Sequence, residues 1–118
     1  MISSMTHSKN KGNTYERKIC QELRDMGYTA ERSSYVNKKL DDDGKVDIET
    51  DFPFNIQCKR TEQQPNFVDV LESMDDTKRR VVYWKKNHAP ELVVMLKDDF
   101  IELHNTIKAL EEDLLEKL

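Results

Sequence analysis

The chain has 118 residues, of which 36% are charged and 36% hydrophobic, and its formal net charge is -4. That length suits one domain with a modest core. A mean hydropathy of -0.83 and the lack of a long apolar run predict neither a membrane span nor a secretory leader.

Charge is unevenly spread. From Glu102 onward five acids (Glu102, Glu111, Glu112, Asp113, Glu116) face two bases (Lys108, Lys117), a net of -3, which leaves -1 of the total for everything before. An acidic sum is not the basic footprint expected of a nucleic-acid binder, yet a bound cation reverses the field around clustered acids. Cys20 and Cys58 are too few for a disulfide framework and read as reduced, buried thiols. They point to the cytoplasm.

In chain order, residues 1–10 are polar and predict a flexible tail. Asn13 or Thr14 caps a helix to about Met26, with Tyr15, Ile19, Leu23 and Met26 as its buried stripe and Gly27 as a left-handed terminus. Tyr28–Arg32 fits a first strand. Residues 33–45 read as a polar, mobile loop bearing Lys38, Lys39, Lys45 and Asp41-Asp42-Asp43-Gly44. The triple Asp lacks the spaced ligands and closing Glu of a calcium loop.

Val46-Asp47-Ile48-Glu49-Thr50 and Asn55-Ile56-Gln57-Cys58-Lys59 alternate with a period of two, and the Asp51-Phe52-Pro53-Phe54 gap has turn chemistry. They predict an antiparallel hairpin in which Gln57 and Lys59 share one face, Ile56 and Cys58 the other. Pairing across the hairpin brings Asp47 beside Gln57 and Lys59. A carboxylate, an amide oxygen and an ammonium then meet at one sheet edge. Pro65-Asn66 opens another helix with Phe67, Val70, Leu71 and Met74 inward. Val81–Trp84 and Leu92–Leu96 are buried strands, joined by the basic loop Lys85-Lys86-Asn87-His88. His88 reads as a surface residue, because no second His or Cys stands at ligand spacing. From Asp98 the chain is helical, with Leu103, Ile107, Leu110, Leu114 and Leu118 in an apolar stripe that Leu115 widens. This helix either packs on its own sheet or forms a coiled-coil dimer seam.

An Asp followed ten residues later by Gln-x-Lys (Asp47, Gln57, Lys59) resembles the signature of the PD-(D/E)xK nuclease superfamily. Lys11-Gly12-Asn13-Thr14-Tyr15-Glu16-Arg17-Lys18-Ile19, Leu23, Gly27-Tyr28 and Arg32-Ser33-Ser34 resemble the opening of archaeal-type Holliday junction resolvases. The likeness runs from about Lys11 to Leu103. It implies an α/β, restriction-endonuclease-like core in which a mixed central sheet is flanked by helices. Residues 11–103 would be the nuclease domain and 104–118 a C-terminal helix packed on it or at a dimer interface. Gln57 departs from the family, which usually carries Glu there.

The resemblance further implies a metal-dependent endonuclease of branched DNA, most specifically a Holliday junction, acting as a homodimer so that two opposed strands are cut. A chain this compact would suit a phage or mobile element by analogy. Its catalytic set would be Glu16, Asp47, Gln57 and Lys59, with Asp47, Gln57 and Glu16 on Mg2+ or, as its substitute, Mn2+. Magnesium prefers oxygen donors and keeps several waters, so few protein anchors suffice. Gln57 supplies only a neutral oxygen, which lowers metal affinity relative to Glu. Lys11, Arg17, Arg32, Ser33, Ser34, Lys38, Lys39 and Arg60 would meet DNA, with Glu49 and Gln63 as accessories. Alternatives are a general nicking or restriction-like endonuclease, a non-catalytic DNA-binding relic, and an adaptor whose acidic tail meets a protein partner. An adaptor has no use for Glu16, Asp47 and Lys59 at these positions.

Overall fold

A computed structural model describes residues 2–118, with side chains described from Lys9 onward. Helix α1 spans Ile2–Asp25. It is followed by strand β1 (Ala30–Arg32), short helices α2 (Ser33–Val36) and α3 (Lys38–Asp42), strands β2 (Ile48–Thr50) and β3 (Phe54–Arg60), and helix α4 (Phe67–Ser73). Strands β4 (Arg79–Lys85) and β5 (Leu92–Val94) precede helix α5 (Lys97–Glu116). The α/β architecture and the mixed sheet expected from the sequence are both present. The strands lie in the order β1-β2-β3-β4-β5, and only β3 and β4 run parallel. Helix α4 makes the crossover that a parallel pair requires.

Two cores form because neighbouring residues of a strand face opposite ways. Val81 joins Tyr15, Ile19, Cys20, Leu23, Ala30, Ile48 and Ile56 under α1, whereas Val82 joins Val46, Leu71 and Met74 under α4. The two helices therefore cover opposite faces. Phe67 and Val70 complete the second layer, and Cys58 and Tyr83 the first. Both cysteines are free. Gly27 ends α1 with φ +99°, the left-handed conformation its position called for.

Several expectations are corrected. The tail expected over residues 1–10 is helical from Ile2, Met1 lying outside the described residues; no proline interrupts the run, and Gly12 costs a helix only about 1 kcal/mol. Met26 falls beyond the last helical turn and is 62% exposed. The loop expected over residues 33–45 contains α2 and α3. Asn37 caps α3, its side chain accepting the Leu40 N–H at 3.1 Å. Gly44 sits so close that a Cβ there would meet the Leu40 carbonyl at 2.7 Å. Strand β5 is an edge strand that exposes Leu92 and Val93. No side chain of α5 is buried. Its polar ties to the domain are Arg79 bonds to Glu102 (3.4 Å) and Thr106 (2.9 Å), and the molecule measures 62 × 29 × 27 Å.

No helix among the described residues is long and apolar enough to cross a membrane.

Candidate active site

Strand direction gathers the polar residues. The C-terminal ends of β1, β3 and β4 and the N-terminal end of β2 lie at one end of the sheet, because β1 and β3 run antiparallel to β2 and β4 runs parallel to β3. That end carries Arg32, Asp47, Gln57, Lys59, Arg60 and Lys85.

Asp47 is fixed on three sides. Its N–H donates to the Ile56 carbonyl (2.8 Å) and its carbonyl accepts from the Ser33 N–H (2.9 Å). Its Oδ2 accepts the Cys58 N–H at 2.7 Å, doing for β3 what a neighbouring strand's carbonyl would do. The carboxyl is thus drawn into the sheet end rather than standing on one face. Burial pushes its pKa up from 3.8 to about 7; the Cys58 amide opposes this, Glu16 and Asp41 reinforce it, and Lys59 opposes it.

Gln57 follows Ile56, the residue paired with Ile48, so it adjoins Asp47 across the hairpin. Its Oε1 is buried with no hydrogen-bond partner among the described residues. Such an acceptor costs free energy unless something positive meets it. Lys59 is partly buried, and among the described residues its ammonium makes no ion pair. It lines a cleft of about 360 Å³ with Thr61, Gln63, Gln64, Pro65, Asn66 and Val70, so Gln63 does reach the neighbourhood of Lys59.

Glu16, on the face of α1 turned to the sheet end, accepts from Arg32 Nε at 3.0 Å. Arg32 also donates to the Tyr35 hydroxyl (2.7 Å) and to Asn13 Oδ1 (2.8 Å). Its guanidinium is therefore occupied and buried. Arg32 is corrected from phosphate ligand to the residue that positions Glu16. Ser33 and Ser34 are corrected too: Ser33 is fully buried and holds Asp47 by its backbone, and the Ser34 hydroxyl is enclosed. Glu49 is exposed and accepts from Asn37 Nδ2 (3.3 Å) on the side of α2 and α3. Nothing brings it to Asp47.

The basic residues divide. Lys11 and Arg60 meet, together with Lys18 and Lys85, around a cleft of about 410 Å³ on the α1 side, floored by Tyr15. Glu91 borders it, accepting from the Tyr15 hydroxyl (2.7 Å) and from Lys18 (3.2 Å). Burial and that carboxylate push the Tyr15 phenol well up. Arg60 is steadied by the Lys85 carbonyl (3.2 Å) and Asn87 Oδ1 (2.6 Å). Arg17 lines a smaller cleft with Arg32 and Tyr35, where the two guanidinium groups hold the Tyr35 phenol below its usual range. Lys38 and Lys39 are exposed on α3, away from the α1-side cleft.

The sequence did not reveal Lys18 and Lys85 as partners of Lys11 and Arg60. The available signal was weak: Lys85 ends a strand, and Lys18 lies seven residues, two helical turns, after Lys11. Asp41 and Asn13 were missed because their roles are purely tertiary.

The donors at the sheet end are all oxygens: the second oxygen of Asp47, the unpaired Gln57 Oε1 and the free oxygen of Glu16. This set fits a hard divalent cation in its chemistry and its orphaned acceptor. Among the described residues no three His, Cys, Asp or Glu side chains form a ready metal-binding group. No family model, no curated protein and no solved structure matches the chain.

Proposed function

We propose that the chain is a metal-dependent DNA endonuclease of the PD-(D/E)xK kind, resembling a Holliday junction resolvase. The observation that carries the reading is the half-buried Asp47 carboxyl beside the unpartnered Gln57 oxygen, with the Lys59 ammonium next in line on β3. A core-filling polar pair would bond to itself; this one leaves an acceptor and a cation unused.

Asp47, Gln57 and Glu16 would hold Mg2+ or Mn2+, which supplies charge neutralisation at the phosphate and a more acidic water. The Cys58 amide and the Ser33 contact fix Asp47 before substrate arrives, and Arg32 fixes Glu16. Gln57 gives an oxygen without a charge, so binding leans on Asp47. Lys59 orients the attacking water and stabilises the charge that builds on the phosphate oxygens in the transition state. Gln63 lines the same approach. Lys11, Lys18, Arg60 and Lys85 carry the neighbouring phosphates, whose contacts give affinity without reading sequence. Arg17 lines a separate, smaller cleft, and Lys38 and Lys39 stand apart from that track on α3. Glu91 beside Lys18 and Tyr15 keeps the cleft from being uniformly positive.

The test is cleavage of a labelled four-way junction and a matched linear duplex with Mg2+, Mn2+ or EDTA. Paired nicks in the junction alone, lost with EDTA, support the reading. Equal cutting of both substrates makes the chain a general endonuclease. Junction binding with no cutting in either metal makes it a DNA-binding relic, with Gln57 as the lost acid.

A further inference from the structure

We propose that Tyr35 is the specificity-determining contact of the site, a platform on which one unstacked base of an open or branched DNA lies. The inference rests on the nuclease reading, which brings DNA to this end of the sheet. Tyr35 is 69% exposed, the most exposed of the Phe, Tyr and Trp side chains. It is nonetheless held in place. Its hydroxyl accepts from Arg32 Nη1 at 2.7 Å, and the same guanidinium lies 4.7 Å from the ring centroid. Arg32 is itself buried and anchored to Glu16 (3.0 Å) and Asn13 (2.8 Å). One arginine therefore ties a bare aromatic ring to a residue of the proposed metal site. The backbone repeats the link: α2, which carries Tyr35, starts at Ser33, whose N–H donates to the Asp47 carbonyl (2.9 Å).

The surroundings select the occupant. Arg17, Arg24 and Arg32 line one small cleft with Tyr35, against a single carboxylate, Glu31, which Arg24 approaches at 3.5 Å. An aromatic face flanked by guanidinium groups suits an anionic polymer that carries flat rings. It disfavours an apolar peptide, which would strip water from those charges and offer them no partner. The form of the DNA follows from the ring. In a continuous duplex both faces of every internal base are already stacked, so Tyr35 has nothing to cover. Where strands part, a base exposes one face. A ring fixed before binding loses little freedom on contact, so Tyr35 rewards the open structure and not the duplex. Lys11 and Arg60, by contrast, line the cleft for phosphates, which every DNA carries. Affinity and preference thus reside in separate groups.

The test is fluorescence anisotropy of the full chain in EDTA, so that binding is read without cutting. The probes are a forked duplex with two unpaired arms and a matched continuous duplex. The wild type should bind the fork more tightly. Tyr35→Ala should weaken fork binding about tenfold, as for one base stacked on one aromatic, and leave duplex binding unchanged. Tyr35→Phe keeps the ring but loses the Arg32 bond. It should retain the preference, which separates the stacking face from the Arg32 network. Abasic nucleotides placed in turn along the unpaired arms should locate one position where the wild type loses the same factor and Tyr35→Ala loses nothing further. Equal binding of fork and duplex by the wild type overturns the proposal. So does an equal loss on both DNAs in Tyr35→Ala, and so does an abasic penalty that is the same in both proteins. Cleavage is read separately. Metal-dependent cutting without a Tyr35 effect on the fork removes this contact and leaves the nuclease. The fork effect without cutting in Mg2+ or Mn2+ keeps the contact and removes the nuclease.

Discussion

Replacing Asp47 with Asn should abolish metal-dependent activity and, in metal-free protein, make the fold more stable above neutral pH. The reason is the cost of burying the charge. Burial raises the Asp47 pKa from 3.8 to about 7, so the folded protein prefers the neutral carboxyl. Below pH 3.8 both states hold the proton and Asp47 contributes nothing to pH dependence. Between 3.8 and 7 the unfolded chain releases it while the fold keeps it, and stability falls as pH rises. Above 7 the full penalty is present, with a ceiling of about 4 kcal/mol. Solvent reaching this partly buried residue reduces it, so the wild type should lose about 1–2 kcal/mol between pH 5 and pH 8. Asn keeps an oxygen for the Cys58 N–H and carries no charge, so the variant should lose far less over that range. Urea denaturation in EDTA at both pH values measures this, with the wild-type slope checked for constancy. Mg2+ should recover stability at pH 8 in the wild type and not in Asp47→Asn. If the variant is weakened equally at both pH values, the carboxyl is an ordinary structural acceptor and carries no burial penalty.

Four other outcomes are expected. Lys59→Ala should cut the cleavage rate by about 10²–10⁴ while metal affinity, read by calorimetry, stays unchanged. Gln57→Glu should tighten Mg2+ binding by about tenfold, on the order of 1.4 kcal/mol, and make the metal-free fold less stable by setting a second acid beside Asp47. Arg32→Ala should destabilise the protein by about 3 kcal/mol, because it strips Glu16 of its 3.0 Å partner; thermal unfolding reads this directly. Lys11→Ala should weaken DNA binding evenly across sequences and reduce the salt slope by about one, as fluorescence anisotropy at several salt concentrations would show.

The parts of this fold that were legible are those that rest on periodicity. Ile48 and Ile56 sit where alternation puts them, the stripe Tyr15, Ile19 and Leu23 is buried, and Gly27 takes the left-handed terminus. Met26 failed because the helix ended one residue sooner than the pattern. Leu92 and Val93 failed because hydropathy does not distinguish an edge strand from a central one. Residues 33–45 looked like a loop since their polarity outweighed the Asn37 cap that starts α3. At the site, Asp47 and Gln57 could be brought together from hairpin pairing alone. That the Asp47 side chain would itself take the Cys58 N–H could not, because it depends on where β2 departs from regular pairing. Arg32 resembled a phosphate ligand for a similar reason. An arginine closing a strand reads as surface until a helix acid sixteen residues upstream claims it.

Asp47 and Gln57 are proposed to bind a divalent ion. Titrating Mn2+ into the metal-free protein, followed by electron paramagnetic resonance, tests it without requiring the right DNA substrate. One Mn2+ should bind per chain, be displaced by Mg2+ and be lost in Asp47→Asn. Unchanged Mn2+ binding in Asp47→Asn, or no binding by a folded wild type, would contradict it.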